Sequence, residues 1–435
     1  MRPRLVLVFC IVALAVPGLA LGQRTYADSP RVEDSIGVSA HFTRSYPPKP
    51  GEIKMIADAG FRWVRTDFVW VDTDPGPARP RGYDFQFYDR LVEEFDHYHL
   101  RAIFILDYYH CQYYNGESAK TACLLNEPES PHTEEQRTAF AQWAAAAASH
   151  FKGRGVYWEI YNEPNIDFWR SPSSEREKVN EYVKLAVTTS KAIRVAAPNE
   201  TIIGPATAKI DLSFIGACLD AGLLDYWSGV SVHPYRESPP ETAATDYEGL
   251  RQLIARYQPK GKKISIISGE WGYSAWGGTT EESQGKYLVR QFLSNLANDI
   301  QLSMWYDWRD DDWASGAERH FGTVKNPYNE KSDPVFVIKP AYRAAKTLTQ
   351  NLGGYRLSKR VDVGSPNDYV LLFSNGGATR LAAWTTSTAH AITIPVKTGS
   401  FRVTGWRGET LPKQMANNRG LIVTLTDAPQ YLIPE

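Results

Sequence analysis

A chain of 435 residues with 22% charged side chains and a formal net charge of −1 has neither the basic surplus of a nucleic-acid binder nor a polybasic membrane patch. It is too long for one ordinary domain and long enough for a large barrel with an addition. The aromatic share of 12%, including 13 Trp and 24 Tyr, suits the stacking of sugar rings and equally a thick aromatic core, and composition does not separate the two.

The chain opens with a short basic stretch, Met1-Arg2-Pro3-Arg4, an apolar run from Leu5 to Val16 and small residues at Ala20-Leu21-Gly22. That layout predicts a signal peptide over 1–22, hence a secreted or periplasmic protein, although a buried strand or an uncleaved anchor has the same composition. No other segment has the apolar length that a bilayer requires. Strand patterns follow at Gly37–Phe42, Trp63–Phe68, Ala102–Asp107, Tyr157–Asn162, Thr201–Gly204, Gly229–His233, Ile264–Gly269 and Leu302–Tyr306. Helical patterns separate them, at Phe85–His97, Asp246–Tyr257, Glu281–Ala297 and Ile338–Gln350. Thr133-Glu134-Glu135-Gln136 and Ser174-Glu175-Arg176-Glu177 read as capping boxes, and Gly60 as a helix stop. Eight βα units predict an α/β fold, a (β/α)8 TIM barrel over 23–352.

Beyond Gly353 the rhythm changes to short alternating runs at Tyr369–Phe373, Arg380–Thr385, Ala391–Pro395, Phe401–Trp406 and Leu421–Leu425. These predict a small antiparallel β-sandwich over 353–435. Its Tyr355, Trp384 and Trp406 could stack on glycan, but the preferred reading is a domain that braces the barrel. Of four cysteines, Cys10 lies in the leader; a Cys111–Cys123 bridge is plausible in an oxidising compartment, and Cys218 reads as a buried thiol. No Cys/His spacing resembles a zinc site, and no cofactor is implied.

In a parallel barrel the reactive groups stand at the C-terminal ends of the strands. The fourth strand ends Glu159-Ile160-Tyr161-Asn162-Glu163-Pro164 and the seventh ends Gly269-Glu270-Trp271. Two carboxylates therefore meet at one rim, as hydrolysis of a glycosidic bond requires. Asn126-Glu127-Pro128 repeats the tripeptide without a strand before it and reads as a loop turn.

With Asn162-Glu163-Pro164 and Glu270 in strand context, the chain resembles glycoside hydrolase clan A. It looks most like family 39, with its bacterial exopolysaccharide endoglycosidases, and cellulase-like family 5 comes next. Gly60–Asp67, Gly229–Tyr235 and Met304–Asp311 carry the likeness further. The resemblance implies Glu163 as acid/base, Glu270 as nucleophile, and retention at the anomeric centre. It also assigns Arg65 and Tyr235 to the support of Glu270, His233 to the same motif, and Asn162 to the sugar 2-hydroxyl. Trp305 is the expected sugar floor, with Trp308, Trp271 and His41 as further substrate contacts. Asp67, Asp107 and His110 are second-rank candidates, Glu159 is expected to fix the site from below, and Asp310-Asp311-Asp312 to be a solvated loop.

The resulting expectation is a monomeric hydrolase of a β-linked poly- or oligosaccharide, cutting internally, with no nucleic-acid partner. Residues 108–133 would wall one side of its cleft. The competing readings are an inactive carbohydrate-binding barrel and a metal-dependent enzyme on the same scaffold.

Overall fold

The computed structural model describes residues 26–77, 82–114, 123, 129–312 and 315–435. The leader, most of 115–128 and the second Asn-Glu-Pro copy lie outside the described residues. Eight parallel strands close into a barrel in sequence order: β1 (Ile36–Ser39), β2 (Trp63–Val69), β3 (Arg101–Asp107), β4 (Tyr157–Ile160), β5 (Thr201–Ala208), β6 (Gly229–His233), β7 (Ser265–Trp271) and β8 (Leu302–Trp305). A helix follows each: α1 (Glu52–Asp58), α2 (Gln86–His97), α3 (Glu134–His150), α4 (Glu175–Ala196), α5 (Leu212–Asp220), α6 (Ala244–Tyr257), α7 (Glu281–Ala297) and α8 (Pro340–Leu352).

Helix spacing explains the outer ring. In α2, Tyr88, Leu91, Val92 and Phe95 are buried, the i, i+3, i+4, i+7 set that makes one apolar stripe. Both boxes form: Gln136 Oε1 accepts from the Thr133 N–H, and Glu177 Oε2 from the Ser174 N–H. Gly60 sits at φ 92° just beyond α1, and a Cβ there would lie 2.0 Å from Thr349 Oγ1 of α8. Only glycine meets both conditions. Inside the barrel, Trp63, Ile103, Ile203, Ile267, Leu302 and Met304 form a separate apolar plug. Because strand side chains alternate, Arg65 and Asp67 follow Trp63 up the same inner face of β2.

After α8 the chain forms β11 (Arg356–Arg360), β12 (Asp368–Asn375), β13 (Ala378–Thr385), β14 (His390–Ile394), β15 (Gly399–Gly405), β16 (Thr410–Ala416), β17 (Leu421–Leu425) and β18 (Gln430–Pro434), a short hairpin, β9 (Val324–Tyr328) and β10 (Phe336–Ile338), having preceded α8. Six strands, in the order β11-β12-β13-β18-β15-β16, face the β14–β17 pair across a core that includes Val370, Leu381, Leu432, Ile394 and Val423. The sandwich is thus as expected, with β11, β16 and β18 added to the strands read from the sequence. The opposite face of the large sheet carries Leu371, Phe373, Ala382, Trp384 and Tyr431 into the same cluster as the barrel's helices. Tyr355, Trp384 and Trp406 are all buried there, so they brace the barrel and offer no stacking face. Cys111 and Cys123 are bonded, with Cα atoms 5.9 Å apart, and Cys218 is a buried thiol. Among the described residues no helix is long and apolar enough to cross a membrane.

Candidate active site

Arg65 organises the barrel mouth. Its Nε donates to Glu159 Oε2 at 2.6 Å, its Nη1 to Glu270 Oε2 at 2.6 Å, and its Nη2 to Asn162 Oδ1 at 2.7 Å. A planar guanidinium presents several donors in fixed directions, so one buried residue sets three acceptors at once. Glu159, fully buried below the rim, anchors the fork from underneath. Gly269 keeps this layer open, since a Cβ there would lie 2.3 Å from Ser231 Oγ and 3.1 Å from Glu159 Oε1.

Glu270 receives a second donor, the Tyr235 hydroxyl, on Oε1 at 2.8 Å. Burial pushes the Glu270 carboxyl up, but the Arg65 guanidinium and the Tyr235 hydrogen bond help to outweigh it, and the net direction is down. Burial and the neighbouring Glu270 drive the Tyr235 phenol well up, which keeps it a donor. The strand is irregular here: pairing between β7 and β8 shifts register between Ser268 and Trp271. Such an irregularity re-aims a side chain at the end of a strand.

Glu163 stands on the loop after β4 in an unusual backbone. Tyr161 has φ 70° and Glu163 φ 45°, a region that costs a non-glycine residue about 1–3 kcal/mol and is enriched at functional sites. The strain is held by surrounding bonds: Glu163 N donates to Ala206 O at 3.0 Å, and Asn165 Oδ1 accepts from Ala208 N at 2.9 Å. His233 Nδ1 lies 2.8 Å from Glu163 Oε1, and its Nε2 lies 3.3 Å from Arg65 Nη2. A guanidinium only donates, so Nε2 is the acceptor and Nδ1–H donates to Glu163. One donor atom each from Glu163, His233 and Glu270 lie within 4.8 Å of one another, a spacing a cation could bridge. Arg65 already sits against two of the three, and a second full positive charge there would be repelled.

His41 and Asp67 form a second group on the neighbouring strand ends. His41 Nδ1 is 3.1 Å from Asp67 Oδ2 and its Nε2 is 3.4 Å from the Tyr306 hydroxyl. Burial lowers the imidazole pKa, but Asp67, Asp307 and Asp311 more than reverse this and raise it to about 9. Asp107 is fully buried beside Asp67, and burial with that neighbouring charge pushes its carboxyl well up.

The expected tryptophans are not in the cleft. Trp271 and Trp305 are 0% exposed and Trp308 1% exposed, and all three belong to the outer core. Trp308 Nε1 donates to Glu52 and Trp305 Nε1 to Phe321 O. Met304 belongs to the inner plug, so alternation turns Trp305 outward and Tyr306 inward. Tyr306, 6.3 Å from the Tyr235 ring and 5.3 Å from Phe321, holds the position expected of a tryptophan. Counting from Met304 would have found it. His110 is also buried, its Nε2–H donating to Asp74 O at 2.8 Å as a loop brace. The acidic run is only partly solvated: Asp310 pairs with buried Lys339 at 2.9 Å, Asp311 is buried with its pKa raised to about 6 by burial, and Asp312 alone is exposed.

A closed parallel barrel with two glutamates on the ends of β4 and β7 defines a glycoside hydrolase of clan A. A profile of the family described as Cellulase (glycosyl hydrolase family 5) matches residues 27–312, and the chain belongs to that family. No curated protein matches the chain significantly. Its fold resembles a family 39 glycoside hydrolase from Bacteroides cellulosilyticus WH2, at 24% identity and a TM-score of 0.74 over 93% of this chain and 82% of that one. It also resembles a monomeric beta-xylosidase from Caulobacter crescentus CB15, at 15% identity and a TM-score of 0.66 over 94% and 98% of the two chains. A GH30 endoxylanase from Clostridium papyrosolvens C71 matches at 14% identity and a TM-score of 0.60 over 95% and 98%.

Proposed function

We propose that the protein is an exported, monomeric, retaining β-glycosidase that cuts β-linked polysaccharide chains internally, with Glu270 as nucleophile and Glu163 as acid/base. The observation that carries this reading is the carboxylate separation. One oxygen each of Glu163 and Glu270 lie within 4.8 Å, a nearest-atom spacing that fits the about 5–5.5 Å between the carboxyl groups of retaining enzymes better than the about 6.5–9.5 Å where a water must fit between them.

In the first step a Glu270 oxygen bonds to the anomeric carbon while the glycosidic C–O bond breaks, and Glu163 gives its proton to the departing oxygen. Glu163 Oε1 is occupied by the His233 N–H, which leaves Oε2 to carry that proton. Arg65 and Tyr235 hold Glu270 ionised for attack. In the second step water attacks the glycosyl ester, Glu163 takes the water proton, and Glu270 leaves. Asn162 has its oxygen held by Arg65, so its NH2 is the group left to donate to the sugar 2-hydroxyl. His41 and Tyr306 supply donors for the remaining hydroxyls of the same sugar.

The β-linkage and internal cleavage rest on the cellulase family and on the endoxylanase likeness. Export rests on the sequence of residues 1–22 and on the Cys111–Cys123 bridge, since disulfides persist in oxidising compartments.

The test is hydrolysis of aryl β-xylosides, aryl β-glucosides and the matching β-linked polysaccharides. Glu270→Ala should lose about 10⁴-fold in kcat, and Glu163→Ala about 10²–10⁴-fold on unactivated leaving groups. Azide should restore turnover of Glu163→Ala on activated aryl glycosides and release the β-glycosyl azide. Wild-type rates in either variant would refute the assignment.

A further inference from the structure

An acid can protonate a leaving oxygen only from hydrogen-bond distance, about 2.6–3.2 Å. On the reading that Glu163 is that acid, the first sugar of the departing chain must lie over the loop that carries Glu163. That loop turns back on itself, Ile166 N donating to Glu163 O at 3.2 Å and Trp169 N to Ile166 O at 3.0 Å. Trp169 plugs into the core, with its indole N–H on Glu181 Oε2. Phe168 O accepts from the Tyr161 hydroxyl at 3.1 Å and from Ser130 Oγ at 3.4 Å.

This braced turn nevertheless leaves two apolar side chains in solvent: Ile166 is 44% exposed and Phe168 46%. The Phe168 ring lies parallel to Tyr108, at 11° and 6.0 Å between centroids, and Tyr108 stands edge-on to Tyr161 at 5.3 Å. Tyr108, half-buried at the end of β3, thus links the exposed ring to the residues around Glu163. Fixed, exposed apolar surface beside a reactive carboxyl is what binding a ligand would explain.

We propose that Phe168, backed by Tyr108 and flanked by Ile166, is the stacking wall of the subsite that receives the departing sugar. A flat ring face selects a pyranose whose hydroxyls are equatorial, because only such a ring offers an unbroken C–H face. The ligand class is therefore a gluco- or xylo-configured β-linked chain.

The experiment compares kcat/KM for xylotetraose and cellotetraose with kcat/KM for β-xylosyl and β-glucosyl fluoride, in wild type, Phe168→Ala and Phe168→Tyr. Fluoride departs without a ring, so it cannot use the wall. In Phe168→Ala the tetraose-to-fluoride ratio should fall about three- to tenfold, and Phe168→Tyr should restore it. An equal loss on both substrate types would make Phe168 a structural residue, and no loss on either would remove it from the cleft. Turnover of neither sugar series by the wild type would overturn the configuration assigned here. Glu270→Ala, assayed alongside, separates the two readings: full activity there refutes the catalytic pair whatever Phe168 does.

Discussion

At the scale of single residues, Glu270 is held by a balance that can be shifted one bond at a time. Burial favours its neutral form, whereas neighbours including the Arg65 guanidinium and the Tyr235 hydroxyl favour the carboxylate and prevail. Tyr235→Phe removes one of these with little change in volume, so the pKa of Glu270 should rise. A lowered carboxylate pKa keeps the group ionised, and any stability it lends present, above the ordinary value of 4.5. Both are lost as pH falls through the lowered value. The acid limb of kcat/KM should accordingly lie below the ordinary carboxylate range in the wild type and move up in Tyr235→Phe. An acid limb that stays in place would mean that the hydroxyl positions the carboxylate without tuning it. Glu163, Glu270 and Tyr235 were legible in the sequence because each stands at or just beyond the C-terminal end of a strand, and Arg65 because it lies on a strand whose residues the motif fixes. The His41–Asp67–Tyr306 group was only half legible, since it is assembled from three strands and a pairwise contact leaves no local pattern.

At the scale of elements, period and turn chemistry decided what could be read. All eight barrel strands, and every helix between them except α5, announce themselves by alternation, by an apolar stripe, by a cap or by a stop; α5 (Leu212–Asp220) was missed. The error at Trp305 is instructive, because family position was preferred to the phase of the strand. Met304 fills the plug, and period two then assigns Trp305 to the outer core. The missed strands β11 and β16 have mostly exposed or half-exposed residues, and such edge strands lack a strong apolar alternation. Gly60 shows how much a single stop residue carries. Its φ of 92° disfavours any side chain, and a Cβ would lie 2.0 Å from Thr349 Oγ1 and 2.8 Å from Thr349 Cβ. Gly60→Ala should therefore destabilise the protein by about 1–3 kcal/mol, read from chemical denaturation. Thr349→Ala removes Oγ1 and Cγ2 but keeps Cβ, so in Gly60→Ala/Thr349→Ala part of the steric cost should be recovered, with the backbone part and the 2.8 Å approach to Cβ remaining. A double variant no better than the single would assign the whole cost to the backbone and that approach.

At the scale of the molecule, the sandwich and the barrel share one buried joint. Glu241, on the turn before α6, accepts from Arg290 Nε of α7 at 2.7 Å and Nη2 at 2.8 Å, and from Trp384 Nε1 of β13 at 2.6 Å. Arg290 and Glu241 are nearly inaccessible to water, so neither charge tolerates losing its partner. Trp384 also stacks on Tyr369 at 4.7 Å, and Trp406 packs against Gly285 of α7, where a Cβ would lie 2.5 Å from the indole. Through α7 this joint reaches Gln291, whose amide donates to Trp271 O beside Glu270. Trp384→Ala removes a fully buried indole and one of three donors to Glu241, and should cost about 3–5 kcal/mol. Glu241→Gln keeps the shape but leaves a buried guanidinium without its counter-charge, for a cost of about 3–5 kcal/mol as well. Because the two changes strike one network, their double variant should cost clearly less than the sum of the singles. If the sandwich only rested on the barrel, unfolding would separate into two transitions and Trp384→Ala would move one of them. A shared core predicts instead a single calorimetric transition that shifts as a whole, with the kcat of the remaining folded protein unchanged.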